Sequence, residues 1–206
     1  HSGAVYSDET ELKSRTHYFG FKGDEQVDFI QNFMIDQALP SQVKVKDTTV
    51  YKYTLDVLDY TTTYKAGTKD SKDGLTIIKS MTDYSGNTRG EEVTNFTYNY
   101  AASLANVSTT TVYFYGTGHV RAYDSSNRSY TPMSVASTYS GEKSSALYGT
   151  TDATLKTRTH YMGDKGEELA DYSQSFMKNR FGAVVVKDTT IYSYGTGPMA
   201  DVLDYT

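Results

Sequence analysis

The sequence predicts an all-β chain, laid out as a tandem array of three divergent units of about 70 residues with short polar loops. Three observations predict it. Segments rich in Thr, Tyr and Val alternate with period two, as half-buried strands do. A Gly-acid-acid turn signal recurs between such segments. The same blocks also return along the chain. Residues 12–34 (LKSRTHYFGFKGDEQVDFIQNFM) match 155–177 (LKTRTHYMGDKGEELADYSQSFM) at 14 of 23 positions.

The first block of each unit reads as a strand running into a turn. It is LKSRTHY at 12–18, IKSMTDY at 78–84 and LKTRTHY at 155–161. A Gly follows, then a charged stretch containing KGDE, RGEE or KGEE, which suits a hairpin. The next segment is ambiguous. Val27, Ile30 and Met34 fit a helical face, whereas Phe96, Tyr98 and Tyr100 alternate as a strand does. Equivalent segments should share one structure, so a strand is expected in all three.

The clearest strands come last in each unit: TTVYKY at 48–53, TTVYFY at 110–115 and TTIYSY at 189–194. Alternation places Val50 and Lys52 on one face and Tyr51 and Tyr53 on the other. The position of Lys52 holds Phe114 and Ser193 in the other copies, so that face is expected to be the less constrained one. The tyrosine pairs Tyr51/Tyr53, Tyr113/Tyr115 and Tyr192/Tyr194 are the expected packing residues between units, since Tyr buries a ring and keeps its hydroxyl bonded or wet.

Unit boundaries follow from the block spacing: 1–61, 62–140 and 141–206. Residues 65–74 and 123–131 are polar, turn-rich connections. The three prolines, Pro40, Pro132 and Pro198, lie near unit edges, where no ladder donor is needed. The hexamer DVLDYT occurs at 56–61 and again at 201–206, and at its first occurrence the chain runs on. A longer protein is therefore expected, with the third unit continuing.

Composition limits the function classes. Leu, Ile, Val and Phe number only 38, but 20 Tyr raise the large apolar-bodied set enough for a folded chain with a net charge of −5. There is no Cys, which excludes disulfides and thiolate metal sites. No basic block points to nucleic acid, and no apolar run reaches the ~20 residues of a membrane helix.

The chemistry-bearing residues read as structural. His17 and His160 share one repeat position, which Asp83 fills in the middle unit, and no spacing suggests a metal. The acid pairs Asp24-Glu25, Glu91-Glu92 and Glu167-Glu168 are adjacent, so on a strand they would point apart. Asp70–Gly74 places Lys72 where a calcium loop wants a ligand. Three N-glycosylation sequons start at Asn95, Asn106 and Asn127. No nucleophile elbow, phosphate loop or dinucleotide motif occurs, so neither enzyme activity nor a cofactor is expected.

The pattern [LI]-K-[ST]-x-T-[HD]-Y, [KR]-G-[DE]-E and TT[VI]Y-x-Y covers most of the chain. It resembles the tandem-repeat fibre and surface-shaft (adhesin-stalk) proteins of bacterial cell surfaces. The resemblance implies an extracellular or cell-surface location and units stacked or strand-complemented into a fibre. The implied partner is the chain itself, as neighbouring repeats or identical copies. The alternative it allows is a repetitive carbohydrate- or surface-binding adhesin module with glycan partners.

Overall fold

The alternating Thr, Tyr and Val segments form strands, except that the third, TTIYSY, leaves its strand after Ile191. The computed structural model describes residues 12–39, 42–101, 106–124 and 130–194. Among them are twelve strands and no helix: β1 Ser14–Phe19, β2 Gln26–Ile35, β3 Val43–Thr54, β4 Val57–Lys65, β5 Ile78–Ser85, β6 Val93–Tyr100, β7 Val107–Tyr115, β8 Val120–Arg121, β9 Met133–Ser140, β10 Leu155–Met162, β11 Leu169–Lys178 and β12 Val184–Ile191. The ambiguous segments after the charged turns are strands β2, β6 and β11.

All pairings are antiparallel and the sheet is open. Its order follows the chain, β1 to β7 and then β9 to β12, with the two-residue β8 paired to the end of β7. β1 and β12 are the two edges. At a strand spacing of about 4.8 Å, eleven strands measure roughly 48 Å along the sheet.

Bulges fall at like sequence positions. The register shifts at His17/Tyr18 between β1 and β2, at Asp83/Tyr84 between β5 and β6, and at His160/Tyr161 between β10 and β11. A second series lies at Asn32/Phe33, Asn99/Tyr100 and Ser175/Phe176. A bulge resets the alternation of side chains. That is how sequence neighbours Phe114 and Tyr115, straddling a shift between β7 and β9, are both buried.

The turns before β2 and β11 require Gly20 and Gly163, at φ 107° and 108°. A Cβ on Gly163 would lie 2.6 Å from the Glu167 carbonyl oxygen, and one on Gly20 2.9 Å from that of Asp24.

A single sheet needs cover, and two segments between strands supply it on one face, one overlapping the expected connection at 65–74 and the other, 141–154, not singled out in the sequence. Residues 66–77 fold back over β1 to β3. Gln31 on β2 is completely buried beneath them. Its Nε2 donates to the Thr68 and Ser71 carbonyls at 2.9 and 3.1 Å, and its Oε1 accepts from the Asp70 N–H at 2.8 Å. Arg15 pairs with Asp70, and Lys72 with Asp28.

Residues 141–154 cover β6 to β10 in a similar way. Thr110 Oγ1 donates to the Gly141 carbonyl at 2.6 Å, as Thr48 Oγ1 does to that of Ala66 at 2.9 Å. Tyr98, matching Gln31 in sequence, donates from Oη to Glu142 at 3.1 Å. Arg121 is buried and donates to the Ser144 and Ala146 carbonyls and to Asn95 Oδ1.

The main core lies under this second cover: Val112, Phe114, Val135, Tyr139, Ala146 and Leu155, with Phe96 and Phe176 against them. This corrects one expectation. The face of Lys52, Phe114 and Ser193 is the principal core in the middle of the chain, because residues 141–154 return to close it. A smaller cluster of Val93, Tyr115 and Ala122, with Tyr113 and Met133, packs separately.

Candidate functional site

The tyrosines of the TT[VI]Y-x-Y segments lie in β3, in β7 and just past the end of β12. Tyr115 is buried, while Tyr51, Tyr53, Tyr113, Tyr192 and Tyr194 are half-buried. The second tyrosine of each pair anchors to the backbone of the neighbouring strand. Tyr115 Oη donates to the Thr94 carbonyl at 2.6 Å and Tyr194 Oη to that of Ala170 at 2.9 Å. Tyr53 bonds the backbone at Val27. Val27, Thr94 and Ala170 occupy the same place after the charged turn. Burial pushes the Tyr51, Tyr53, Tyr115 and Tyr161 hydroxyls up from their ordinary values, so they remain protonated donors well above neutral pH.

The tyrosines lie in a band along the sheet, with Tyr84 near Tyr51 and Tyr115, Tyr113 near Tyr115, and Tyr161 near Tyr113, Tyr192 and Tyr194. None of the six rings singled out in the sequence stacks on another of them. Tyr84 and Tyr161 complete the band, and their recurrence after Thr-His or Thr-Asp was the signal available for them. Beside the band runs a series of hydroxyl pairs that sequence reading missed: Thr49–Thr63, Thr82–Thr97, Thr111–Thr138 and Thr159–Ser173, each 2.9 to 3.0 Å apart. The TT doublets were its trace.

The acid pairs have a structural use. The second acid of each folds back on its own turn: Glu25, Glu92 and Glu168 each accept from the N–H of Gly23, Gly90 or Gly166 at 2.8 Å. Glu92 and Glu168 use the other oxygen on the strand before them. Glu92 accepts from the Leu58 N–H at 2.8 Å and Glu168 from the Met133 N–H at 3.0 Å. A carboxylate offers a separate oxygen to each of the two backbone donors, whereas an amide has only one acceptor oxygen. The turns also touch: Arg89 pairs with Asp24 and donates to the Glu25 carbonyl at 2.9 Å.

His17 stacks on Phe29, and His160 on Tyr172, with ring centres 4.1 and 4.3 Å apart. Asp83, in the same position, accepts from Asn95 Nδ2 at 2.8 Å, and burial raises its pKa. His119 and His160 are held below the ordinary histidine value by burial and by Arg158 nearby. Among the described residues no cluster of three His, Asp or Glu could hold a metal.

Asn95 is only 9% exposed, and both its amide atoms are engaged, by Asp83 and Arg121. A glycan on its nitrogen is incompatible with that packing. Asn106 is exposed, and Asn127 lies outside the described residues.

Two clefts sit where a charged-turn hairpin meets the strand before it. One, of about 500 Å³, lies between Leu55–Asp59 and Tyr84–Gly86. The other, of about 660 Å³, is walled by His119, Tyr130, Met133 and Tyr161. Comparison with protein-family models, with characterised proteins and with solved structures finds no match.

Proposed function

We propose that this chain is a structural subunit or segment of an extracellular fibre or surface filament, built from tandem β units that lengthen one sheet strand by strand. The observation that carries this reading is the pair of contacts made by Glu92 and Glu168. They fall at β4/β5 and β9/β10, where the sequence pattern starts over. At both places the ladder continues without a gap, and the same acid ties the new hairpin to the strand before it.

Recurring bulges and tyrosine anchors support counting three units, β1–β4, β5–β9 and β10 onward. The function is then mechanical. Strands lie across the long axis, the covering segments brace one face, and tyrosines with hydroxyl pairs brace the other. Four strands per unit imply an axial rise of about 19 Å per unit, less any coiling. Electron microscopy of the native material is the test: uniform filaments with that rise are expected, and discrete particles would refute the reading.

One observation favours an adhesin module as a second reading. The cleft walled by His119, Tyr130 and Tyr161 offers ring faces and hydroxyls of the kind that hold sugars. Binding in a glycan screen that is lost in Tyr130→Ala would support it. No binding would remove it.

A further inference from the structure

The two faces of the sheet carry different side chains. On the covered face Val112, Phe114, Val135 and Tyr139 are buried under residues 141–154. On the other face the pairing lines up residues of successive strands in rows. One row is Thr61, Thr82, Thr97, Thr111, Thr138 and Thr157, each directly opposite the next across β4, β5, β6, β7, β9 and β10. Tyr51 on β3 and Ser175 on β11 extend it. A second row lies two residues away along each strand: Thr49, Thr63, Ser80, Asn99, Thr109 and Ser140. Members of a row share a face and repeat about every 4.8 Å.

In the middle of the sheet the rows are accessible. Thr82, Thr97, Thr111 and Thr138 are half-buried, and Asn99 and Thr157 are exposed. β5, β6 and β7 have strands on both sides, so this face belongs to the interior of the array and not to an edge. From Tyr51 to Ser175, and from Thr49 to Ser140, neither row holds a charged residue, although 22% of the chain is charged. Depletion of charge distinguishes the core of an interface from ordinary surface. The hydroxyls also bond in pairs along the rows: Thr82 with Thr97 at 3.0 Å, and Thr111 with Thr138 and Thr49 with Thr63 at 2.9 Å. A hydroxyl has one donor and two acceptor lone pairs, so each pair keeps one O–H to give and lone pairs to receive. A surface that satisfies every pair has to offer donors and acceptors at the same strand spacing. The face itself is such a surface.

We propose that this face packs on the same face of a second copy of the chain, two sheets back to back about a two-fold axis. The greatest overlap of the threonine rows places that axis beside Thr97 and Thr111. β5, β6, β9 and β10 are each eight residues long. That is about 26 Å, which with a sheet roughly 48 Å wide gives about 1,200 Å² per copy. A stable interface takes about 800 Å² from each partner. The pairing goes beyond the fibre reading, because it joins copies across the sheet face whether or not units are added along it.

The test is sedimentation of the 206-residue chain together with a spin label. The chain is expected to form dimers that dissociate on dilution. Asn99→Lys, at an exposed position beside the axis, is expected to weaken the dimer about a hundredfold, since two copies of the new charge meet in one interface. Lys52→Glu, exposed on the other face, is expected to leave it unchanged. The chain has no cysteine, so Asn99→Cys carries a single nitroxide. With sheets about 10 Å apart, its spectrum should show dipolar broadening that dilution with unlabelled chain removes. A label on Lys52→Cys should show none. A monomer, a dimer indifferent to Asn99→Lys, or broadening at Lys52 and not at Asn99 would each overturn the proposal. So would a monomeric chain that binds insoluble polysaccharide through these rows. Native filaments without broadening at Asn99 would refute this pairing and leave the fibre reading intact. A broadened dimer in material that forms no filaments would do the reverse.

Discussion

Gln31→Leu tests whether the covering segment 66–77 is held by side-chain hydrogen bonds rather than by apolar contact. The shape is nearly kept and the residue stays buried, but the amide is gone. Three bonds to the covering segment disappear, two from Nε2 to the Thr68 and Ser71 carbonyls and one to Oε1 from the Asp70 N–H, together with a longer one from Nε2 to Thr48 Oγ1 on β3. A typical net value is about 1 kcal/mol per bond, so the three to the segment give an expected cost of roughly 3 kcal/mol. The segment is largely exposed on its outer side, so the freed groups reach water if it lifts. The loss should therefore be local before it is global. Native-state hydrogen exchange reads this directly. The Asp70 amide should exchange about a hundredfold faster, since each 1.4 kcal/mol is a factor of ten. Amides of β7 and β9 should hardly change. A protected Asp70 amide together with an unshifted melting temperature would refute the reasoning.

Other expectations follow from the core, a turn and the titrating groups. Phe114→Ala empties the centre of the larger cluster and should cost about 3–5 kcal/mol by denaturant titration. Gly163→Ala meets both a positive φ and the Glu167 carbonyl, so a loss of about 1–3 kcal/mol is expected, with Gly166→Ala, which has open space, losing less. Asp152 is held down to about 2, first by Lys143 and then by Thr154. Its unfolded carboxyl titrates near 3.9, so its contribution is complete above pH ~4 and is lost as pH falls toward 2. Asp152→Asn should flatten acid unfolding in that range, by less than ~1 kcal/mol because the pair is partly exposed. His119 and His160 have depressed values, so their contribution is present above pH ~6.5 and is lost as pH falls through their folded values. Thermal melts at pH 7.5 and pH 5 should differ in that direction, and less in the His119→Gln variant.

The strands were legible because Thr, Val and Tyr alternate plainly in TTVYKY and TTVYFY, and because Phe96, Tyr98 and Tyr100 resolved the ambiguity of their counterparts. The buried side was not legible. Lys52, Phe114 and Ser193 share a position, and what buries Phe114 is a segment some thirty residues later that returns over β7. Nothing local announces that Arg121 is buried, because the carbonyls of Ser144 and Ala146 that satisfy it lie on a segment that returns from further along the chain. The acid pairs were seen, but not that one carboxylate spans two backbone donors. That depends on which strand lies alongside, a long-range fact that spacing does not carry.

The central claim is that the sheet grows along the fibre with its strands across the axis. X-ray diffraction from aligned native material tests it most directly. The account predicts a reflection near 4.8 Å along the fibre axis and a longer period close to 19 Å per unit. A 4.8 Å reflection at right angles to the axis would contradict it, as would material that forms no fibre to align.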